Sequence, residues 1–305
     1  MRPTRPKTPP GSSLWRVIHY PLTLLAIGLA MMALAGLLVG GLREVLPIGH
    51  GGLRGVLFSL IASAIFVGAY WLFVHFVERR PFEEFEREDW FGELAIAAAA
   101  GFVLFSIVIG IIATQDGYGI AGINPLRAAL PALAVAIFSG VSEEIVLRGV
   151  IFRLVERLTG SWIALALSAI LFGAMHLGNP NATLFAGLAI ALEAGVMLAA
   201  LYMVTRRLWA VIGLHAAWNF TQGGIYGVPV SGFDAGGLIR PSITGSDLLT
   251  GGSFGAEASL TALLVNLAVG IGLMWIAWQQ DLVVPPRWVR RGGFQGDERL
   301  ARTRR

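Results

Sequence analysis

Apolar residues gather into eight stretches, near 20–42, 53–77, 91–114, 128–152, 160–177, 182–204, 208–222 and 258–280, separated by polar or glycine-rich segments. A bilayer core takes about 20 residues of helix at about 1.5 Å rise each. The pattern therefore predicts an all-α, polytopic membrane protein of about eight transmembrane helices. The fifth stretch has connections only a few residues long, and the seventh is the shortest. Residues 223–257, rich in Gly, Ser and Pro and without a helical period, read as a long extracytoplasmic loop. Residues 78–90 (ERRPFEEFEREDW) mix charge with Phe82, Phe85 and Trp90, and admit two readings, a short interfacial helix or a solvated connector. No internal repeat appears. The expected organisation is a disordered basic tail over 1–19, one transmembrane helical domain over 20–282 and a second basic tail over 283–305.

Composition agrees, with 55% hydrophobic and 14% charged residues among 305, and a mean hydropathy of +0.70. The absence of Cys excludes disulfides, thiolate zinc sites and a cysteine nucleophile. A net charge of +4 does not point to nucleic acid, because the cations sit at the chain ends and beside the apolar spans. They also alternate. One side carries Arg2, Arg5, Lys7 and Arg16, then Arg79, Arg80 and Arg87, then Arg153 and Arg157, then Arg206 and Arg207, then the tail from Arg287; the other holds only Arg43, Arg54, Arg127 and Arg240. By the positive-inside rule both termini face the cytoplasm, in what is expected to be a bacterial cytoplasmic membrane, with the first apolar stretch retained as a helix.

Polar groups inside the spans carry the chemistry. The fourth span contains VSEEIVLRG, with Glu143, Glu144 and Arg148 in an apolar setting. A charge at the bilayer centre costs about 2.5–3.5 kcal/mol on insertion scales, so such groups face inward and pair. Glu144 and Arg148 stand at i,i+4 with the acid first, the favourable order for a helical ion pair. Glu143 points about 100° away from Glu144 and is left for another task. A neutralised pair plus a Glu near the interface is the structural alternative. The fifth span has Phe172 and His176 four residues apart, and the seventh sets His215 and Asn219 on one face, either as chemistry or as interhelical hydrogen bonding. Counted from the cytoplasmic ends, Glu143 lies about 14 Å deep, His176 about 23 Å, His215 about 10 Å and Asn219 about 16 Å, so His176 fits a common level least well. His19, His50 and His75 sit at span ends and receive no role.

These residues resemble a known family. Glu143-Glu144-Ile145-Val146-Leu147-Arg148 matches EExxxR, Phe172 to His176 matches FxxxH, and His215 to Asn219 matches HxxxN, in the order and spacing of the CAAX-protease and bacteriocin-processing (CPBP, or Abi) membrane proteases. Phe185, Gly187, Thr205, Leu208 and Trp209 are similar to the family's connecting region, and together the match covers about the central third of the chain. The resemblance implies an intramembrane peptidase, related to type II CAAX prenyl proteases, acting on a membrane-associated peptide or protein. In that scheme Glu143 and His176 activate water, His215 and Asn219 stabilise the oxyanion, and Glu144, Arg148 and Phe172 support the site. Glu193, an additional acid in the sixth span, reads as a helix-packing hydrogen bonder or a partner for His215.

No cofactor is favoured. Zinc is the open alternative, held by Glu143, His176 and His215, although no HExxH pair is present and the histidines come from different spans. Two other functions compete. An ion-coupled transporter would also bury Glu and His, but no inverted repeat supports it, and a non-catalytic immunity or scaffold protein would not need the intact motif set. The lipid bilayer is an expected partner, and nothing in the sequence fixes the oligomeric state.

Overall fold

The computed structural model describes residues 13–45, 52–234 and 236–290. In chain order its helices are α1 (Ser13–Ile18), α2 (Pro21–Val45), α3 (Gly52–Glu78), α4 (Trp90–Ala113), α5 (Leu126–Thr159), α6 (Ser161–His176), α7 (Leu184–Thr205), α8 (Leu208–Phe220, continued by a π-helical turn Thr221–Ile225) and α9 (Leu260–Gln279). Each of the eight apolar stretches becomes helix. Among the described residues six helices, α2 to α5, α7 and α9, are long and apolar enough to cross a membrane. The expected fifth and seventh spans, α6 and α8, have 16 and 13 α-helical residues, less than a full crossing of about 20. Large apolar side chains such as Leu37, Ile96 and Leu184 face outward, as they do where lipid is the solvent.

Small residues bring the motif helices together. A Cβ on Gly101 would strike the Leu214 carbonyl of α8, and one on Gly213 would strike the Leu94 carbonyl of α4. Gly140 of α5 lies against the backbone of Ala216 in α8, and Gly173 of α6 against the Gly187 carbonyl of α7. Backbones this close are how membrane helices gain contact when lipid removes the hydrophobic drive between them. Side chains on α5, α6 and α8 consequently meet in one interior.

Two expectations change, and one open alternative is decided. The 223–257 loop is not structureless: its strand β2 (Ile239–Ile243) pairs antiparallel with β1 (Tyr118–Ile123), which follows α4, with an irregularity between Ile120 and Gly122. Glycines and a proline in these short strands hid the pairing. The 78–90 segment is not a helix beyond a 3-10 turn at Glu83–Phe85, since Pro81 interrupts it and its acids turn to arginines elsewhere. Ser13–Ile18, placed in a disordered tail, forms α1, with Trp15 stacked on His19. His75 stacks on Trp71, while His50 lies outside the described residues.

The orientation arginines are also fasteners. Glu78 at the end of α3 accepts from Arg80, Arg153 and Arg157 at 3.0, 2.6 and 3.3 Å, joining α3 to α5. Glu156 accepts from Arg206 and Ser161, and Arg207 reaches Glu86 and Glu93. Residues 284–290, part of the expected basic tail, lie against the α5–α6 junction through Ser161 N–H to Val284 O and Arg287 N–H to Leu158 O, both 2.9 Å.

Candidate active site

Glu144 is the hub. Its Oε1 accepts from Arg148 Nη1 at 2.9 Å and from His215 Nδ1 at 2.8 Å, and both Glu144 and Arg148 are fully buried. Directly after Glu144 the helix widens into a π-helical stretch, Ile145–Phe152, a distortion common at functional sites. Arg148 also donates from Nη2 to the Gly195 carbonyl at 3.0 Å, in the widened turn Ala191–Gly195 of α7. Its guanidinium lies 5.0 Å from the Phe172 ring centre, a cation–π contact that explains the aromatic of the second motif. The i,i+4 pair expected from the sequence therefore exists, and it does more than neutralise itself. It fastens α5 to α6, α7 and α8.

A carboxylate paired with Arg148 can only accept, so His215 presents Nδ1–H to it and turns Nε2 away. Nε2 stands 4.0 Å from Glu143 Oε2. Glu143 is a quarter exposed, and its Oε2 is buried without a hydrogen-bond partner. Two groups 4.0 Å apart can share one water at about 2.8 Å from each when the angle at its oxygen is about 90°. One turn further along α8, Asn219 donates from Nδ2 to Ser139 Oγ at 3.0 Å. His176 Nδ1 lies 2.7 Å from the Phe172 carbonyl, which accepts its proton and leaves His176 Nε2 bare. The Phe172 ring spans the histidines, 4.8 Å from His176 and 5.8 Å from His215.

His176, His215 and Asn219 line a common cavity of about 20 Å³, room for about one water molecule. Glu143 is not among its lining residues and stands 4.0 Å from His215 Nε2. Four polar contributors escaped the sequence. Ser139 stands four residues before Glu143, so helical spacing could have flagged it. Ser231, Glu257 and Asn266 also line the cavity, and Glu257 is an acid placed oddly in an Ala-Glu-Ala entry to α9. Burial pushes its carboxyl above the usual carboxylate range, while hydrogen bonds from Ser231 pull the other way. Glu193 accepts from Asn266 Nδ2 at 2.9 Å, so it does join α7 to α9.

The zinc set does not converge. Among the described residues no three His, Asp or Glu side chains stand close enough to hold a metal ion. Both histidines hold Nδ1 in a hydrogen bond and keep Nε2 available, as a metal ligand would, so it is the spacing of the three side chains that fails the set.

Residues 125–221 match the family model described as Rce1-like, type II CAAX prenyl endopeptidase Rce1-like. The matched segment runs from the start of α5 to the end of α8 and contains every motif residue from Glu143 to Asn219. The match supports assignment to the CAAX-protease (CPBP) family. No curated protein and no solved structure matches the chain.

Proposed function

We propose that this CPBP-family membrane protein is an intramembrane endopeptidase that hydrolyses a peptide bond of a membrane-associated peptide or protein, CAAX-protease-like in its chemistry. The observation that carries the reading is the Glu144–His215 hydrogen bond. It joins the first and third motifs and aims His215 Nε2 at the space in front of Glu143. A structural ion pair alone has no need of that third partner.

In the proposed reaction Glu143 takes a proton from a water as its oxygen attacks the scissile carbonyl carbon. The carbonyl oxygen becomes an oxyanion and accepts from Asn219 Nδ2, whose second hydrogen is not used by Ser139, and from His215 Nε2 when that ring carries both protons. Glu144 balances the resulting imidazolium charge, as an acid behind a catalytic histidine does. His176, with Nδ1 held by Phe172, offers Nε2 to pass a proton onward. When the carbon–nitrogen bond breaks, the proton taken by Glu143 goes to the leaving amine. No step needs a metal ligand set.

The alternation of arginines and the spans support a cytoplasmic location for both termini. Cleavage of peptides presented in liposomes, by wild type and by Glu143→Gln, tests the enzyme reading. Cleavage by wild type with none by an equally well-folded Glu143→Gln is the expected result. Absence of wild-type cleavage across lipidated and unlipidated peptides would favour the transporter or scaffold alternatives, and undiminished cleavage by Glu143→Gln would remove Glu143 as base.

A further inference from the structure

The cavity has a second polar wall that the proposed chemistry does not use. It comprises Glu193 on α7, Asn266 on α9 and Glu257 in the turn before α9. Glu193 and Asn266 are 1% exposed and Glu257 is 4% exposed. Asn266 gives its amide nitrogen to Glu193 at 2.9 Å. Asn266 Oδ1 is thereby left buried with no partner. Glu257 accepts from the Ser231 backbone N–H.

No Lys or Arg lines the cavity. Its two histidines have committed Nδ1–H to Phe172 and Glu144, so as neutral rings they present only acceptor nitrogens. Two buried carboxyl groups and an orphaned amide oxygen form a wall that a multiple donor bearing positive charge would satisfy. Helix packing explains Glu193 with Asn266, and the Ser231 bond ties Glu257 to its loop, but neither uses Asn266 Oδ1. The cavity is small, about 20 Å³, which favours a compact ammonium head over a planar guanidinium. Apolar neighbours, Ile190, Met197 and Leu198, suit the methylenes behind such a head.

We infer that this wall is a specificity subsite for a protonated primary amine, a lysine side chain or a free amino terminus, carried by the substrate near the scissile bond. The inference rests on the peptidase reading for its role in turnover, but not for the binding itself. A free carboxyl terminus finds no Lys or Arg at this wall to hold it.

Two measurements separate the claims. Thermal unfolding of the purified full chain, in wild type and in the isosteric variants Glu257→Gln and Glu193→Gln, is followed against propylammonium chloride and, at equal ionic strength, sodium propionate. A saturable upward shift with propylammonium alone, weakened in either variant, is expected. In parallel, matched peptides carrying Lys, Arg, norleucine or Glu at each position around the cleavage point are compared by kcat/KM. Lys is expected to exceed norleucine by about tenfold or more at one position, the scale of one charge-assisted hydrogen bond, and Glu257→Gln is expected to shrink that ratio. Equal cleavage of Lys and norleucine peptides, or no saturable propylammonium shift in wild type, overturns the subsite. If no peptide is cut while the amine shift and its loss in Glu257→Gln persist, the peptidase reading fails and the amine site stands.

Discussion

Glu144 and His215 lie 71 residues apart in sequence and 2.8 Å apart in space, and the same carboxylate oxygen also receives Arg148. Replacing Glu144 therefore has two consequences of different kinds. Glu144→Gln is expected to lower stability by about 3–5 kcal/mol, because the buried guanidinium is stranded. It also frees His215 to adopt the other tautomer, so the surviving folded fraction is expected to lose turnover by about two to four orders of magnitude. Denaturation in detergent and turnover per folded molecule, measured separately, check the two. A variant with reduced stability but full specific activity would make Glu144 purely structural.

Ser139 is expected to position Asn219 without taking part in the chemistry. Asn219→Ala should cost about 10²–10³ in kcat if its amide donates to the oxyanion, whereas Ser139→Ala, which releases only one anchoring bond, should cost about tenfold. Restoration of most of that loss by Ser139→Thr would be consistent with positioning. Ser139→Ala as damaging as Asn219→Ala would place the hydroxyl at the reacting atoms.

Glu78 is the acid on which three arginines depend. Glu78→Ala removes the carboxylate that Arg80, Arg153 and Arg157 share at the α3–α5 junction, a side chain only 2% exposed, and leaves Glu84 as the remaining acid of Arg80 and Arg153. A loss of about 1.5–3 kcal/mol is expected, above the value of a surface ion pair. The midpoint of thermal or denaturant unfolding in detergent reads it directly, and a change below about 1 kcal/mol would mean that water already serves these groups.

Strong chelation is expected to leave turnover unchanged, with elemental analysis giving well under one zinc per chain. Turnover that vanishes with the chelator and returns with added Zn²⁺, alongside about one zinc per chain, would reinstate the Glu143, His176 and His215 ligand set.

Orientation can be tested without background because the chain has no Cys. Cys at Ser242, exposed in β2, is expected to react with a membrane-impermeant maleimide on intact cells, and Cys at exposed Arg87 only after lysis. The reverse pattern would invert the topology.

Much of the site was legible because helical spacing is a local rule. Glu144 with Arg148, and His215 with Asn219, could be paired or placed on one face from sequence alone, and their depths were compatible with a shared interior. What spacing cannot reveal is which face of one helix meets another. That Glu144 would reach His215 depended on Gly140 lying against Ala216, a contact with no local signature. Ser231, Glu257 and Asn266 were hidden for the same reason, since each matters only through the cavity it borders. The strand pairing between β1 and β2 was hidden because short, glycine-bearing strands carry little alternation. The shortness of α8 was legible as the shortest apolar stretch, and that of α6 only through its short connections.

The π-helical turns impose a constraint on chain length. One begins directly after Glu144, one contains Glu193 and one follows Asn219 by two residues. Each accommodates an extra residue within an otherwise regular helix. Deleting one residue between Ile145 and Leu147 would let ordinary winding resume with Arg148 turned by only some tens of degrees relative to Glu144. A further inserted residue has no such slack to take up and would swing Arg148 by most of the about 100° that one residue adds to a helix, and the hub would be gone. These segments should therefore tolerate changes of side chain far better than insertions, even where no residue in them touches a substrate.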